Sequence, residues 1–250
     1  MRDFKDLFSP QALDYARYRP VYPEALFAWL ASQAPGRELA VDIGAGNGQA
    51  SAALAAHFQH VLAIEPSPAQ LASAPPVDRV EFRVGSAEAT GADDGSADLI
   101  TVAQAFHWFR PEPFYVEVRR VLRPRGCLAL WCYGLTQISP EVDAAVFALY
   151  EGLLGRYWEP ERRLVEGGYA SADVPFTELA VPAFTMSLDW TLDHLLGYLG
   201  TWSALRRYQK EHGQAADDAL EAAFRDIARA WGDVPSRAVV WPLSLRAFRV

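Results

Sequence analysis

The sequence predicts an α/β fold, a mostly parallel sheet with helices on both faces, and three features carry the prediction. Leu39–Ile43 is a short apolar run of the kind a buried parallel strand presents. It breaks at once into Gly44, Gly46 and Gly48, after which residues 49–54 start a helical pattern. Residues 61–65 repeat the apolar run and end in Glu65, and runs at 97–102 and 127–133 alternate with a helical stripe. Strand, glycine turn and helix in succession suit a nucleotide-type ligand, because glycine admits φ > 0 and lets the backbone approach a bound group closely.

The elements follow in chain order. Phe4, Leu7, Phe8, Leu13, Tyr15 and Tyr18 suit a helix-turn-helix packed on one side of the sheet, and residues 23–32 are helix-like. After the second strand, 68–74 form a short helix cut by Pro75 and Pro76. Val80–Val84 alternates as a third strand, and Gly85-Ser86 reads as a turn. Asp94-Gly95-Ser96 turns into the fourth strand, whose carboxyl end gathers Gln104, Ala105, Phe106, His107 and Trp108, where open α/β sheets bind ligands. Residues 111–122 are amphipathic through Phe114, Val118, Val121 and Leu122, and Arg123-Pro124-Arg125-Gly126 turns into the fifth strand. Further on, 142–154, 191–205 and 215–231 are helical. Residues 176–186 form a strand whose Pro182 suits an edge, and 239–250 form the last strand, with a bulge expected at Pro242.

Bulk properties bound the function. At 250 residues and 51% hydrophobic content the chain suits one larger domain, or a core with a cap. A formal net charge of -8 and a pI near 5.2 argue against a nucleic-acid partner, which selects basic surfaces. Cys127 and Cys132 lie five apart on one strand, so they face opposite sides as packed thiols; no spacing for a metal centre is present. No apolar signal core and no run of 18 apolar residues occur, so neither a membrane nor a secretory route is expected, and the expected location is cytoplasmic.

Spacing narrows the ligand. The glycines fall as G-x-G-x-G rather than the G-x-G-x-x-G of dinucleotide sites, with Asp42 two residues ahead and Gln49 where the last glycine of that pattern would stand. An acid after the second strand suits a ribose with two free hydroxyls. Together Asp42, the glycine loop and Glu65 resemble the first two motifs of the class I S-adenosylmethionine (SAM) methyltransferases. The resemblance covers most of the chain. It is strongest over 39–133, and Tyr-x-Arg-Tyr-Arg-Pro-x-Tyr-Pro from Tyr15, the Gln-Ala-x-His-Trp at 104–108 and Gly197-Tyr198-x-x-Thr201-Trp202-Ser203-Ala204 resemble the branch that includes the trans-aconitate methyltransferases.

That resemblance implies a Rossmann-like class I methyltransferase fold: a seven-stranded, mostly parallel sheet, its last strand antiparallel, with a helical cap. It implies a single domain over 1–250, with an N-terminal lid segment at 1–35, a SAM-binding core at 36–135, and a C-terminal part at 136–250 carrying a cap insertion at about 187–235. The expected cofactor is SAM, leaving as S-adenosylhomocysteine. Asp42, Gly44, Ala45, Gly46 and Gln49 are expected around its methionine part, and Glu65 and Pro66 at its ribose. Ala87, with Ser86 or Glu88, is expected at the adenine, Gln104 and Ala105 beside these, and Tyr15, Arg17 and Tyr18 in the lid. Ser86 stands where the family commonly has Asp, and Arg125 where it usually has Gly.

The substrate side is expected from Phe106, His107, Trp108, Tyr133, Tyr198 and Trp202. His107 is the best available base if the acceptor carries a proton, since an unperturbed imidazole titrates near neutrality; packing against the core is the other reading of it. The 197–204 stretch equally suits a pocket wall or an interhelical seam. A carboxylate acceptor needs no base, and Arg17, Arg19, Arg206 or Arg207 could clamp it through paired hydrogen bonds. The expected reaction is methyl transfer to an oxygen or nitrogen of a small molecule, by a monomer or homodimer. The rivals are a non-catalytic SAM-binding sensor or partner subunit and an NAD(P)-dependent oxidoreductase, the latter opposed by the glycine spacing.

Overall fold

A computed structural model describes residues 18–250, so Tyr15 and Arg17 lie outside the described residues. The core runs α1 (Glu24–Gln33), β1 (Leu39–Ile43), α2 (Gln49–Leu54), β2 (His60–Glu65), α3 (Pro68–Ala72), β3 (Val80–Val84), β4 (Ala97–Ala103), α4 (Pro111–Val121) and β5 (Leu122–Tyr133). There follow α5 (Pro140–Phe147), α6 (Arg162–Glu166), β6 (Thr177–Glu178), β7 (Thr185–Trp190), α7 (Leu192–Gly200), α8 (Ser203–His212), α9 (Gln214–Trp231) and β8 (Arg237–Arg249). The sheet order is β3-β2-β1-β4-β5-β8-β6, with β7 also on β8. Strands β1 to β5 are parallel, and β8 runs antiparallel to β5, β6 and β7. Strand order reverses between β1 and β4, the place where such sheets open a crevice at their carboxyl ends.

Alternation along the strands separates two cores. Cys127, Ala129 and Trp131 of β5 pack with α1 and α2, whereas Leu128, Leu130 and Cys132 pack with α4. The two cysteines therefore face opposite sides, both buried and unpaired, as a period of two requires. A third apolar cluster joins α5, α7, α8 and α9 to β7 and the near half of β8, and is rich in tryptophan: Trp190, Trp202, Trp231 and Trp241. Among the described residues no helix is long and apolar enough to cross a membrane, and no group of acidic, His and Cys side chains could hold a metal.

Five local expectations are corrected. The single strand at 176–186 is two pieces, because Pro182 lies in the gap between β6 and β7 and has no N–H to donate. The helix at 191–205 breaks after Gly200: Thr201 turns its hydroxyl back onto the carbonyl of Tyr198 (2.6 Å) and Trp202 is extended. The helix at 142–154 changes at Ala148–Leu153 into a π-helical turn. The turn at 123–126 lies inside β5, where Ala97 faces Leu122 but Leu99 faces Cys127. There Arg125 adopts φ 66, the left-handed conformation that a glycine takes without strain. No bulge interrupts β8 at Pro242, which pairs with Thr185 in an unbroken register; the one-residue offset lies across 134–136, between the Tyr133–Leu243 pair and the Gln137–Val240 bridge.

Candidate active site

The carboxyl ends of β1, β2 and β4 converge on the glycine loop. The backbone N–H groups of Gly44 and Ala45 both donate to the carbonyl of Ile64 (2.8 and 3.1 Å), which bends the chain sharply off β1. Gly44, Gly46 and Gly48 have φ of 73, 58 and 83°, where a side chain is strained. A Cβ at Gly44 would lie 2.5 Å from that of Ala105, and one at Gly48 would lie 2.6 Å from the ring of Phe82. Residues 44–47 and Gln49 stay partly accessible above the buried strand ends.

Asp42 and Glu65 divide the work of two carboxylates. Asp42 is wholly buried; its oxygens accept from Ser51 Oγ (2.6 Å) and Thr101 Oγ1 (2.9 Å), tying the helix after the loop to β4. Burial pushes its carboxyl up to about 6, against the pull of those hydroxyls. Asp42 thus acts on the loop from beneath. Glu65 accepts from the N–H of Gly46 (2.9 Å) and of Ser67 (3.0 Å), which holds its carboxylate at the loop's edge beside Pro66. These two backbone donors fix the orientation of the carboxylate at the loop.

Beyond β3, Ala87 is buried and Ser86 half-buried, while Glu88 accepts from the N–H and Nε of Arg110 (3.2 and 3.4 Å). Glu88 is therefore engaged at the start of α4, and Ser86 is the better-placed acceptor of the expected pair. After β4, Gln104 has φ 54; its N–H donates to Trp131 (2.9 Å) and its side chain to the carbonyl of Tyr133 (3.3 Å). Strain at a non-glycine residue persists where surrounding contacts enforce it, and here it joins β4 to β5 beside the loop.

His107 and Trp108 follow on a short 3₁₀ turn, Phe106–Trp108, with their rings 4.6 Å apart. His107 Nδ1 lies 3.0 Å from the hydroxyl of Tyr169, a residue the sequence reading missed. Burial, and then the charge of Arg162, push the imidazole down to about 3, so it is neutral near pH 7 and a poor base. Phe106 is corrected from the substrate side to the core: it is 3% exposed and packs on Phe109, Phe114, Tyr115 and Tyr169.

Of the remaining expected residues, Tyr18, Tyr133, Tyr198 and Trp202 gather around α7. Tyr18 fills the space over Gly197, where no Cβ would fit, and lies 5.4 Å from the His194 ring. Arg19 donates to the hydroxyl of Tyr133 (3.1 Å) and lies 5.3 Å from the ring of Tyr198. Tyr198 and Trp202 are each 3% exposed; Trp202 packs between Tyr150, Trp158 and Tyr198, which makes it part of the interhelical seam. Arg207 is ion-paired with Glu159 and bonded to the carbonyl of Tyr157, and Arg206 is exposed, so neither joins these groups. A groove of about 450 Å³ lined by Leu39, His60, Arg79 and Val80 lies at the opposite, amino-terminal end of the strands and takes no part.

Residues 41–130 match the methyltransferase domain family. A candidate methyltransferase of Dictyostelium discoideum is 37% identical over 211 residues, 83% of this chain and 80% of that protein. The chain belongs to the class I, SAM-dependent methyltransferase family. The structure of a candidate type II methyltransferase from Anaeromyxobacter dehalogenans is 44% identical, superposes with a TM-score of 0.85, and is covered over 98% of its length by 93% of this chain. A candidate methyltransferase from an antibiotic biosynthesis pathway of Anabaena variabilis, 18% identical with a TM-score of 0.53 over 90% of this chain and 98% of that one, shares the methyltransferase fold.

Proposed function

We propose that this methyltransferase uses SAM to methylate an oxygen or nitrogen of a small molecule, a carboxylate among the acceptors it would take, in a reducing cytoplasmic setting. One observation carries the cofactor assignment: the carboxylate of Glu65 is fixed 2.9 Å from the N–H of Gly46, beside three glycines at positive φ. That cradle has room for backbone contact with an amino-acid moiety and an acceptor pair for a ribose, and so fits SAM. Gly44, Ala45, Gly46 and Gln49 would hold the methionine part, Glu65 and Pro66 the sugar, Ser86 and Ala87 the base, with Gln104 and Ala105 beneath. The single-domain division, with its lid at 1–35, core at 36–135 and cap at about 187–235, belongs to the same reading.

SAM, when bound, supplies a methyl group on a sulfonium, already activated for transfer. The protein's own task is therefore alignment and exclusion of water. Trp108 and Tyr18 offer aromatic faces suited to a cation. His107, neutral and held by Tyr169, serves as an orienting contact for the acceptor; a carboxylate acceptor would need no base.

Isothermal titration with S-adenosylhomocysteine and with NADH tests this reading. We expect S-adenosylhomocysteine to bind, and Glu65→Ala to weaken it at least tenfold. Binding of NADH alone would overturn the assignment. Screening small carboxylates, phenols and amines with radiolabelled SAM then separates an enzyme from a binder.

A further inference from the structure

Residues 148–169, which the sequence reading left largely unassigned, bring an arginine to the acceptor side. The π-helical turn Ala148–Leu153 presents Tyr150, and irregular turns of this kind recur at functional sites. The Tyr150 hydroxyl accepts from Arg162 Nε (3.1 Å) and donates to Glu166 (2.5 Å), so the nearest acid on α6 is turned to the phenol. The guanidinium of Arg162 lies 4.9 Å from the ring of Trp158 and 5.6 Å from that of Tyr150. Among the described residues no carboxylate pairs with Arg162, although Arg207, Arg120, Arg123 and Arg246 all have one. A half-buried guanidinium without an anion is costly unless something else supplies one.

Its surroundings point the same way. The charge of Arg162 acts on His107, Tyr169 and Tyr198, three groups on separate segments, and Arg19 acts on the same Tyr198 phenol. Arg19 lies 5.3 Å from the Tyr198 ring, and Trp202 packs between Tyr198 and Tyr150, the phenol that Arg162 holds.

We propose that Arg162 is the anion-binding residue of the acceptor site, its terminal nitrogens taking an oxyanion of the substrate, carboxylate or phosphate, near Arg19 and Tyr198. The inference rests on the methyl-transfer reading for calling that ligand the acceptor; the binding itself is independent of it. Arginine suits this role because its planar fork meets two oxygens at once.

Citrate, succinate, benzoate and inorganic phosphate are titrated separately into the protein saturated with S-adenosylhomocysteine. At least one is expected to bind. Arg162→Met should weaken it tenfold or more, and Arg162→Lys less, since charge stays but the fork is lost. Carboxylate against phosphate in that set identifies the oxyanion. Failure of all four to bind the wild type, or equal binding by Arg162→Met, would overturn the proposal. The affinity for S-adenosylhomocysteine should stay within twofold in both variants. If the wild type fails to bind S-adenosylhomocysteine, the cofactor reading fails instead, and the four anions are then titrated without it. Should Arg162→Met melt early, Arg162→Lys decides: unchanged binding there of the wild type's strongest oxyanion counts against the fork.

Discussion

The hydroxyl of Tyr169 sits 3.0 Å from Nδ1 of His107, joining positions 62 residues apart in the chain. Tyr169 is fully buried, has φ 61 and follows Gly168 at the same φ, so a double left-handed turn aims the phenol at the ring. The Tyr169 hydroxyl is held far above its ordinary range by burial, so it remains protonated.

The first expected outcome concerns titration of that histidine. Its folded pKa of about 3 lies below the ordinary 6.5 of an imidazole. Across that window the unfolded chain binds the extra proton, so stability is lost as pH falls and fully present above it. NMR of the ring protons, assigned by comparison with His107→Asn, should show no titration between pH 5 and 8. The variant should also flatten the acid side of the stability profile. A midpoint near 6.5 would refute the burial argument.

Asp42 has the opposite sign. Its folded pKa of about 6 lies above the ordinary 3.8 of an aspartate, so the folded protein binds the extra proton in between. Its contribution is therefore most favourable at low pH and declines as pH rises through the window. Asp42→Asn should gain on the wild type by about 2 to 3 kcal/mol between pH 4 and 7. Urea denaturation at both pH values measures the difference, and parallel curves would reject it.

Two positive-φ positions should respond in opposite directions. Gly48→Ala places a Cβ against Phe82 at φ 83 and should destabilise by about 1 to 3 kcal/mol, weakening S-adenosylhomocysteine with it. Arg125→Gly relieves a left-handed arginine whose carbonyl still accepts from Arg249, and should stabilise by roughly 0.5 to 1 kcal/mol. Guanidinium denaturation compares both with the wild type.

The stretch from Leu39 to Tyr133 was legible because its signals are local: apolar runs, a glycine turn, an amphipathic helix. The antiparallel last strand came from the family resemblance, and β8 carries it; the sheet has eight strands rather than the expected seven. The segments of the proposed acceptor side were not legible. Tyr150, Arg162 and Tyr169 sit on a π-helical turn, a five-residue helix and a left-handed turn, none long enough for a period to register. Gly167-Gly168 was the one available sign of a sharp turn before Tyr169. Phe106 was misjudged because an aromatic beside His and Trp reads alike whether it faces a ligand or the core; only the rings around it decide. The break at Thr201 depends on a side-chain bond that no periodicity encodes.

The contact between Gly44 and Ala105 has an evolutionary corollary. No side chain fits at position 44 against that methyl, and Asp42 binds the same two strands from below. The glycine-loop end of the crevice is thereby a fixed fitting with little freedom to drift. Change of chemical taste among descendants of this chain should therefore accumulate in the irregular segments away from it, 18–22 and 148–169, leaving the strand tips untouched.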